Sequence, residues 1–335
     1  MHSMRVLQLL VVAWHAAALT VIESALHTLH RPPPSQPNHV ETPRRLDAAV
    51  AAVQSVDQGR IAWARAQDSE RTTVDGAVDA LKRVHDVDHL REVMAMSRSG
   101  GGGFDSDTYV APGSWEASLD GTRAWVDALA GAADGAGPCL ALARPAGHHA
   151  TRSTAMGFGL VNYAAAAAAA ALAGGARTVA ILDWDVHYGN GVAGIFADEP
   201  RVRYCSVHEA AGFPKTPGQD GAAASPSVLH VPLRRGFGGA AFLGALEDVA
   251  LPFLLREPRP DALLVCAGFD ALEADPLGTA TLAPADFGAA TRAIAAAFPP
   301  SRTALGLEGG YALGPDDGMP AALRETCAAL LGDAP

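Results

Sequence analysis

The strongest constraint on this chain is a set of short runs with no polar break. Cys139 to Ala143, Thr178 to Leu182, Ala262 to Ala267 and Thr303 to Leu307 are apolar at nearly every position. A strand with one wet face alternates polar and apolar residues, so a strand without alternation must be covered on both sides. Val202 to Val207 reads as a further strand. Between these runs lie helical patterns: Leu160 to Gly174, Phe242 to Leu255, Asp286 to Phe298 and Ala321 to Leu331. Buried strands alternating with helices predict an α/β fold built on a parallel sheet with helices on both faces.

The N-terminal part is less regular. Arg31 to Pro37 is proline-rich and reads as irregular or extended. Thr42 to Val56 reads as a helix with Pro43 near its start, Val74 to Ser97 as more helix, and Trp115 to Ala130 as another. Ser99 to Gly103 is expected to be a flexible glycine-rich tip, and Asp105 to Ser114 an irregular loop. The alanine run at 164–171 is read as a helix lying close on the sheet, since alanine combines high helix propensity with minimal bulk.

Nothing in the 335 residues reads as a linker between domains. Residues 31–335 are expected to form one domain, with 1–30 either a leader or the first strand. The apolar run Val6 to Ala18 contains Gln8 and His15 and is too short for a comfortable membrane span. The net charge of -11 argues against a broad nucleic-acid-binding face. Four cysteines with no CxxC pair read as buried thiols in a reducing compartment, cytoplasm or nucleus. An organelle address in the N-terminal segment is the alternative.

Ligand sites in open α/β sheets form beyond the carboxyl ends of the strands. Four predicted strands end there in chemically capable residues. One runs into Arg144-Pro-Ala-Gly-His148-His149, one into Asp183-Trp-Asp185-Val-His187-Tyr-Gly-Asn190, one into Gly268-Phe-Asp270, and one into Glu308-Gly-Gly-Tyr311. Residues two apart on an extended segment share a side, so Asp185 and His187 can reach one ion, with Asp270 as a third ligand. Three protein ligands leave a coordination place open, as in a catalytic zinc site, although nitrogen and carboxylate donors suit other divalent metals too. His148 and His149 are candidates for base and acid. Asp183 and Asn190 are candidates to orient one imidazole each; a carboxylate raises its histidine's basicity more than a neutral amide does. Tyr311 is a candidate oxyanion donor.

With these motifs in place, the chain resembles the histone deacetylases and the bacterial acetylpolyamine amidohydrolases of the arginase/deacetylase superfamily, from about His39 onward. His39-Val-Glu-Thr-Pro-Arg-Arg-Leu, Asp107 to Ser114, Arg144 to Ala150, Asp183 to Gly191, Ser206-Val-His208, Gly268 to Pro276 and Glu308 to Tyr311 carry the likeness. Asn190 and Glu308-Gly-Gly-Tyr311 look closer to the class II and bacterial branch. Tyr188, where many members have histidine, and Gly159, where many have cysteine, are departures, and the first thirty-odd residues match poorly.

The resemblance implies a single domain with an eight-stranded parallel sheet. It implies one zinc on Asp185, His187 and Asp270, acid/base roles for His148 and His149 with His149 the proton shuttle, and a transition-state role for Tyr311. Gly157, Phe158, Phe213 and Leu277 would line an acyl-lysine tunnel, and either Asp105 or Asp107 would bind the substrate backbone at the rim. A structural potassium ion would sit on carbonyls of Asp183, Asp185 and His187, near Ser206 and Val207. The implied activity is metal-assisted hydrolysis of N-acetyl-lysine in peptides or proteins, releasing acetate. The first alternative is an acetylated polyamine or other small acyl-amine as substrate. A two-manganese ureohydrolase and a silent acyl-lysine reader are the further rivals.

Overall fold

The computed structural model describes residues 19–215 and 225–333. Its centre is an eight-stranded sheet in which every pairing is parallel. The strands are β1 (Leu19–Glu23), β2 (Ile61–Arg65), β5 (Cys139–Leu142), β6 (Val179–Asp183), β7 (Val202–Glu209), β8 (Val228–Leu233), β9 (Ala262–Ala267) and β10 (Thr303–Leu307), in the spatial order β2-β1-β5-β10-β9-β6-β7-β8. A two-stranded antiparallel hairpin, β3 (Gly102–Gly103) and β4 (Tyr109–Val110), stands apart. The expected flexible tip and irregular loop are therefore paired at this point. The apolar run Val6 to Ala18 lies outside the described residues, and β1 follows it directly. No helix among the described residues is long and apolar enough to cross a membrane.

The unbroken apolar strands feed two cores. On β9, Ala262, Leu264 and Cys266 face one layer while Leu263, Val265 and Ala267 face the other. The first layer is closed by the helices Val74–Lys82, Val87–Arg98, Ser114–Ala133 and Tyr163–Ala173, and the second by Pro43–Gln54, Gly239–Ala245, Pro284–Ala297 and Met319–Leu330. The alanine run is indeed a helix, Ala164 to Ala168 fully buried against the long helix Ser114–Ala133. Val74 to Ser97 divides into two helices. The break places His85 to accept the Asn162 N–H at 2.9 Å, while the Asp86 N–H donates to the Arg152 carbonyl at 2.8 Å. All four cysteines are buried and free.

The sheet order is what positions the site. β5, β10, β9 and β6 are contiguous at its middle. These are the four strands whose ends carry the chemically capable residues. Chain segments as far as 161 residues apart thus meet along one edge.

Candidate active site

Beyond β6 the chain turns under the end of β9. The Val186 N–H donates to Asp270 Oδ1 at 2.9 Å, and the Gly309 N–H donates to Asp185 Oδ2 at 2.9 Å. These amides aim both carboxylates inward. A Cβ on Gly268 would stand 2.2 Å from Asp185 Oδ2, and one on Gly309 2.4 Å from Asp270 Oδ2. Only glycine leaves room for the two acids. His187 Nδ1 lies 3.0 Å from Asp185 Oδ1 and 2.9 Å from Asp270 Oδ2. One donor atom from each of the three residues falls within 4.8 Å of the others.

This donor set fits a divalent cation. Asp185 and Asp270 are buried together on His187, and His148 Nε2 stands 3.7 Å from Asp185 Oδ1. Burial and the Asp185 carboxylate push the Asp270 carboxyl up to about 7. Burial disfavours a charge on His187, yet Asp270 and Asp185 hold its ring proton well above the ordinary histidine range. A nitrogen with two carboxylate oxygens matches zinc's ligand preferences.

His148 and His149 stand beside the triad, with ring centroids 4.0 Å apart. His148 Nδ1 is 2.9 Å from Asp183 Oδ2, which also accepts the Tyr204 hydroxyl at 2.7 Å. His149 Nδ1 is 2.8 Å from Asn190 Oδ1. An amide oxygen can only accept, so Nδ1 carries the proton and Nε2 presents a lone pair to the cavity. Burial opposes charge on both rings. Asp183, then Asp185, overcome it for His148 and raise it to about 10. For His149 burial is joined by repulsion from His148 and His187, and its basicity falls well below the ordinary range.

A cavity of about 450 Å³ opens onto these groups and is walled by Gly157, Phe158, Phe213, Leu277 and Tyr311. Gly157 and Phe158 both take left-handed φ, +55° and +67°. A Cβ on Gly157 would lie 2.4 Å from the His149 ring, so the wall touches the imidazole directly. Phe213 packs edge-on to His149 at 4.9 Å, and Phe158 edge-on to Tyr311 at 5.5 Å. Phe213 and Leu277 are unusually exposed for large apolar side chains, at 45% and 39%. Both candidate rim acids line the mouth. Asp105 spends its carboxylate on its own loop, accepting from the N–H groups of Asp107 and Thr108 at 2.8 and 2.6 Å and from the Thr108 hydroxyl at 3.0 Å. Asp107 has no such bond to its carboxylate among the described residues; its main chain is engaged, the N–H by Asp105 and the carbonyl by His39 at 2.9 Å. Of the residues named for potassium, Asp183 and Ser206 are register partners on β6 and β7.

Several supporting residues escape a sequence reading. Buried Arg45 donates from Nε to the Gly310 carbonyl at 2.7 Å, and its guanidinium lies 4.5 Å from the Tyr311 ring centroid. Asp275 accepts the Tyr311 N–H at 2.6 Å. Glu41 pairs with both Arg45 and Arg144 in a fully buried cluster. Their partners lie up to 265 residues away, and the segments that carry the family likeness include Glu41, Arg45 and Asp275 without giving them a role.

A parallel sheet whose central strands end in a buried acid–histidine cluster at the foot of an aromatic-walled cavity presents a candidate metal centre. The comparisons with known proteins are specific. Residues 39–328 match the histone deacetylase domain, and the chain belongs to that family, whose members are zinc-dependent. It is 35% identical over 321 residues to the histone deacetylase-like amidohydrolase of Pseudomonas aeruginosa, covering 89% of this chain and 79% of that one. It is 38% identical over 184 residues to the polyamine deacetylase HDAC10 of Mus musculus, covering 52% of this chain and 27% of that one. The crystal structure of the HDA15 HD domain is similar at a TM-score of 0.83 and 32% identity, covering 95% of this chain and 91% of that one.

Proposed function

We propose that this protein hydrolyses the amide of N-acetylated lysine side chains in peptides or proteins, with one zinc ion held by Asp185, His187 and Asp270. The observation that carries the reading is the meeting of three metal donors, two differently tuned imidazoles and a tyrosine at the closed end of one aromatic-walled cavity. Zinc, when bound, supplies Lewis acidity to the substrate carbonyl and to the attacking water. The remaining steps belong to the chain's own side chains. The neutral Nε2 of His149 takes the proton of the water. Tyr311 donates a hydrogen bond to the oxygen of the former carbonyl as charge gathers there. His148, kept protonated by Asp183, supplies electrostatic support, and the proton carried by the histidine pair goes to the departing amine. Gly157, Phe158 and Phe213 exclude water around the aliphatic stem of the substrate, and Asp107 receives main-chain N–H groups at the rim. Carbonyls of Asp183, Asp185 and His187, with Ser206 and Val207, offer the place for a structural potassium ion. Residues 31–335 are the catalytic domain in this reading.

An acetylated polyamine is the second substrate class, and the named activity of the mouse relative favours it. Against it, Asp105 spends its carboxylate on its own loop, and Asp107 is then the single rim acid among the described residues left to receive a distal ammonium, beside apolar Phe213 and Leu277. The test is a side-by-side turnover of acetyl-lysine peptides and acetylated polyamines with zinc content measured. The proposal expects kcat/KM for peptides to exceed that for polyamines by at least about tenfold, a difference of about 1.4 kcal/mol. Reversal of that order rejects the peptide assignment, and two manganese ions per chain reject the mechanism.

A further inference from the structure

The geometry points to Glu308 as a positioning residue whose carboxylate clamps the turn bearing His148 and His149 to the strand end bearing Tyr311. This rests on the acyl-lysine reading above. The parallel ladder between β5 and β10 ends at Ala141 and Gly306. Past that point the main chains separate, and the Glu308 side chain takes over the link. Its Oε2 accepts the Gly147 N–H at 2.6 Å and the His148 N–H at 3.2 Å. Its own main chain is held on both sides. The Glu308 N–H donates to the Ala267 carbonyl at 3.1 Å, and Arg45 donates to the Glu308 carbonyl at 2.5 Å. The turn is pressed from the opposite side, because a Cβ on Gly147 would lie 2.9 Å from the Val161 carbonyl and 3.0 Å from the Tyr163 ring. So the peptide entering His148 has one position, set by Glu308 in front and by Val161 and Tyr163 behind.

The chemistry of this clamp is costly. Glu308 is fully buried, and its Oε1 has no hydrogen-bond partner among the described residues. A buried carboxyl with an idle oxygen is an expensive way to hold a turn that a neutral amide would hold for less. Such local costs collect where geometry serves function. The benefit here is that the acid/base imidazoles and the tyrosine are placed relative to each other by one side chain rather than by two independent loops. A displacement of about 1 Å in such a constellation can cost about 10² in rate.

The experiment compares the zinc-loaded parent with Glu308→Gln, which keeps an acceptor oxygen, and Glu308→Met, which fills the space without one. Turnover of an acetyl-lysine peptide, KM, bound zinc and amide exchange are measured on each. Positioning predicts that Glu308→Met lowers kcat by about 30-fold or more while KM moves by less than about twofold, with full zinc content, and that Glu308→Gln returns to within about threefold of the parent. Near-parental kcat in Glu308→Met, or equal loss in both variants, overturns the clamp. Should Glu308→Met not be recovered folded, hydrogen exchange in the parent decides. Gly147 and His148 amides protected like those of a strand ladder uphold it, and exchange as fast as an open loop overturns it. A parent inactive on every acetylated amine would reject the hydrolase reading by itself, and the exchange result would still judge the clamp.

Discussion

Replacing Tyr311 by Phe removes one oxygen and little else. The ring is fixed by Arg45, 4.5 Å from its centroid, and by the edge of Phe158 at 5.5 Å. The backbone is fixed by Asp275 on its N–H and by Arg45 on the preceding carbonyl. The hydroxyl has no hydrogen-bond partner among the described residues, so the phenylalanine should stand in the same place and leave no buried group unpaired. The loss is then confined to the transition state. One oxyanion donor is worth about 10² to 10³ in kcat, or about 2.7–4 kcal/mol. The assay is steady-state hydrolysis of an acetyl-lysine peptide with zinc content and thermal midpoint measured on the same preparation. The expectation is that kcat falls by that factor, KM changes by less than about twofold, and zinc is retained. A kcat within about fivefold of the parent, or a loss seen only in KM, would refute the oxyanion role.

Three further outcomes are expected. Asn190→Asp puts a carboxylate on His149 Nδ1 and raises the basicity of that ring. Its neutral form then persists only at higher pH, and the acid limb of the pH–kcat/KM profile should move up by about one unit or more. Gly157→Ala puts a methyl 2.4 Å from the His149 ring at a left-handed φ. It should cost about 1–2 kcal/mol of stability by denaturant unfolding and at least about tenfold in kcat. Chelation of the zinc-loaded protein should lower its thermal midpoint by about 4 °C if free zinc had been about 100 times its dissociation constant, and zinc, but not magnesium, should restore it.

The middle of the fold was open to reading because β5, β6, β9 and β10 are buried on both faces and are apolar except for Asp183 and Thr303 at strand ends. β2 and β8 went unread for the opposite reason. They lie at the sheet margins, where Trp63 and Val231 are only half covered and Pro232 interrupts the strand pattern. The long pattern from Phe242 to Leu255 reads as one helix, whereas the chain passes through a π segment at Leu246–Ala250. Pro252 has no N–H to give to the preceding turn. At the site, residues two apart on a strand end announced Asp185 and His187 directly. Arg45 and Asp275 act through backbone groups of remote segments and Glu41 through the Arg45 and Arg144 guanidinium groups, and nothing in their local spacing marks those contacts.

The position of β10 bears on how the protein comes into being. It is the last strand among the described residues, yet it lies between β5 and β9 in the middle of the sheet. During synthesis those two neighbours must wait with unsatisfied edges until Thr303–Leu307 leaves the ribosome and slots between them. A polypeptide stopped before that strand is left split down its centre, with the aspartate pair on one half and the tandem histidines on the other. The two halves of the site would therefore come together only after Thr303–Leu307 has been made, and the open edges of β5 and β9 stay exposed until then.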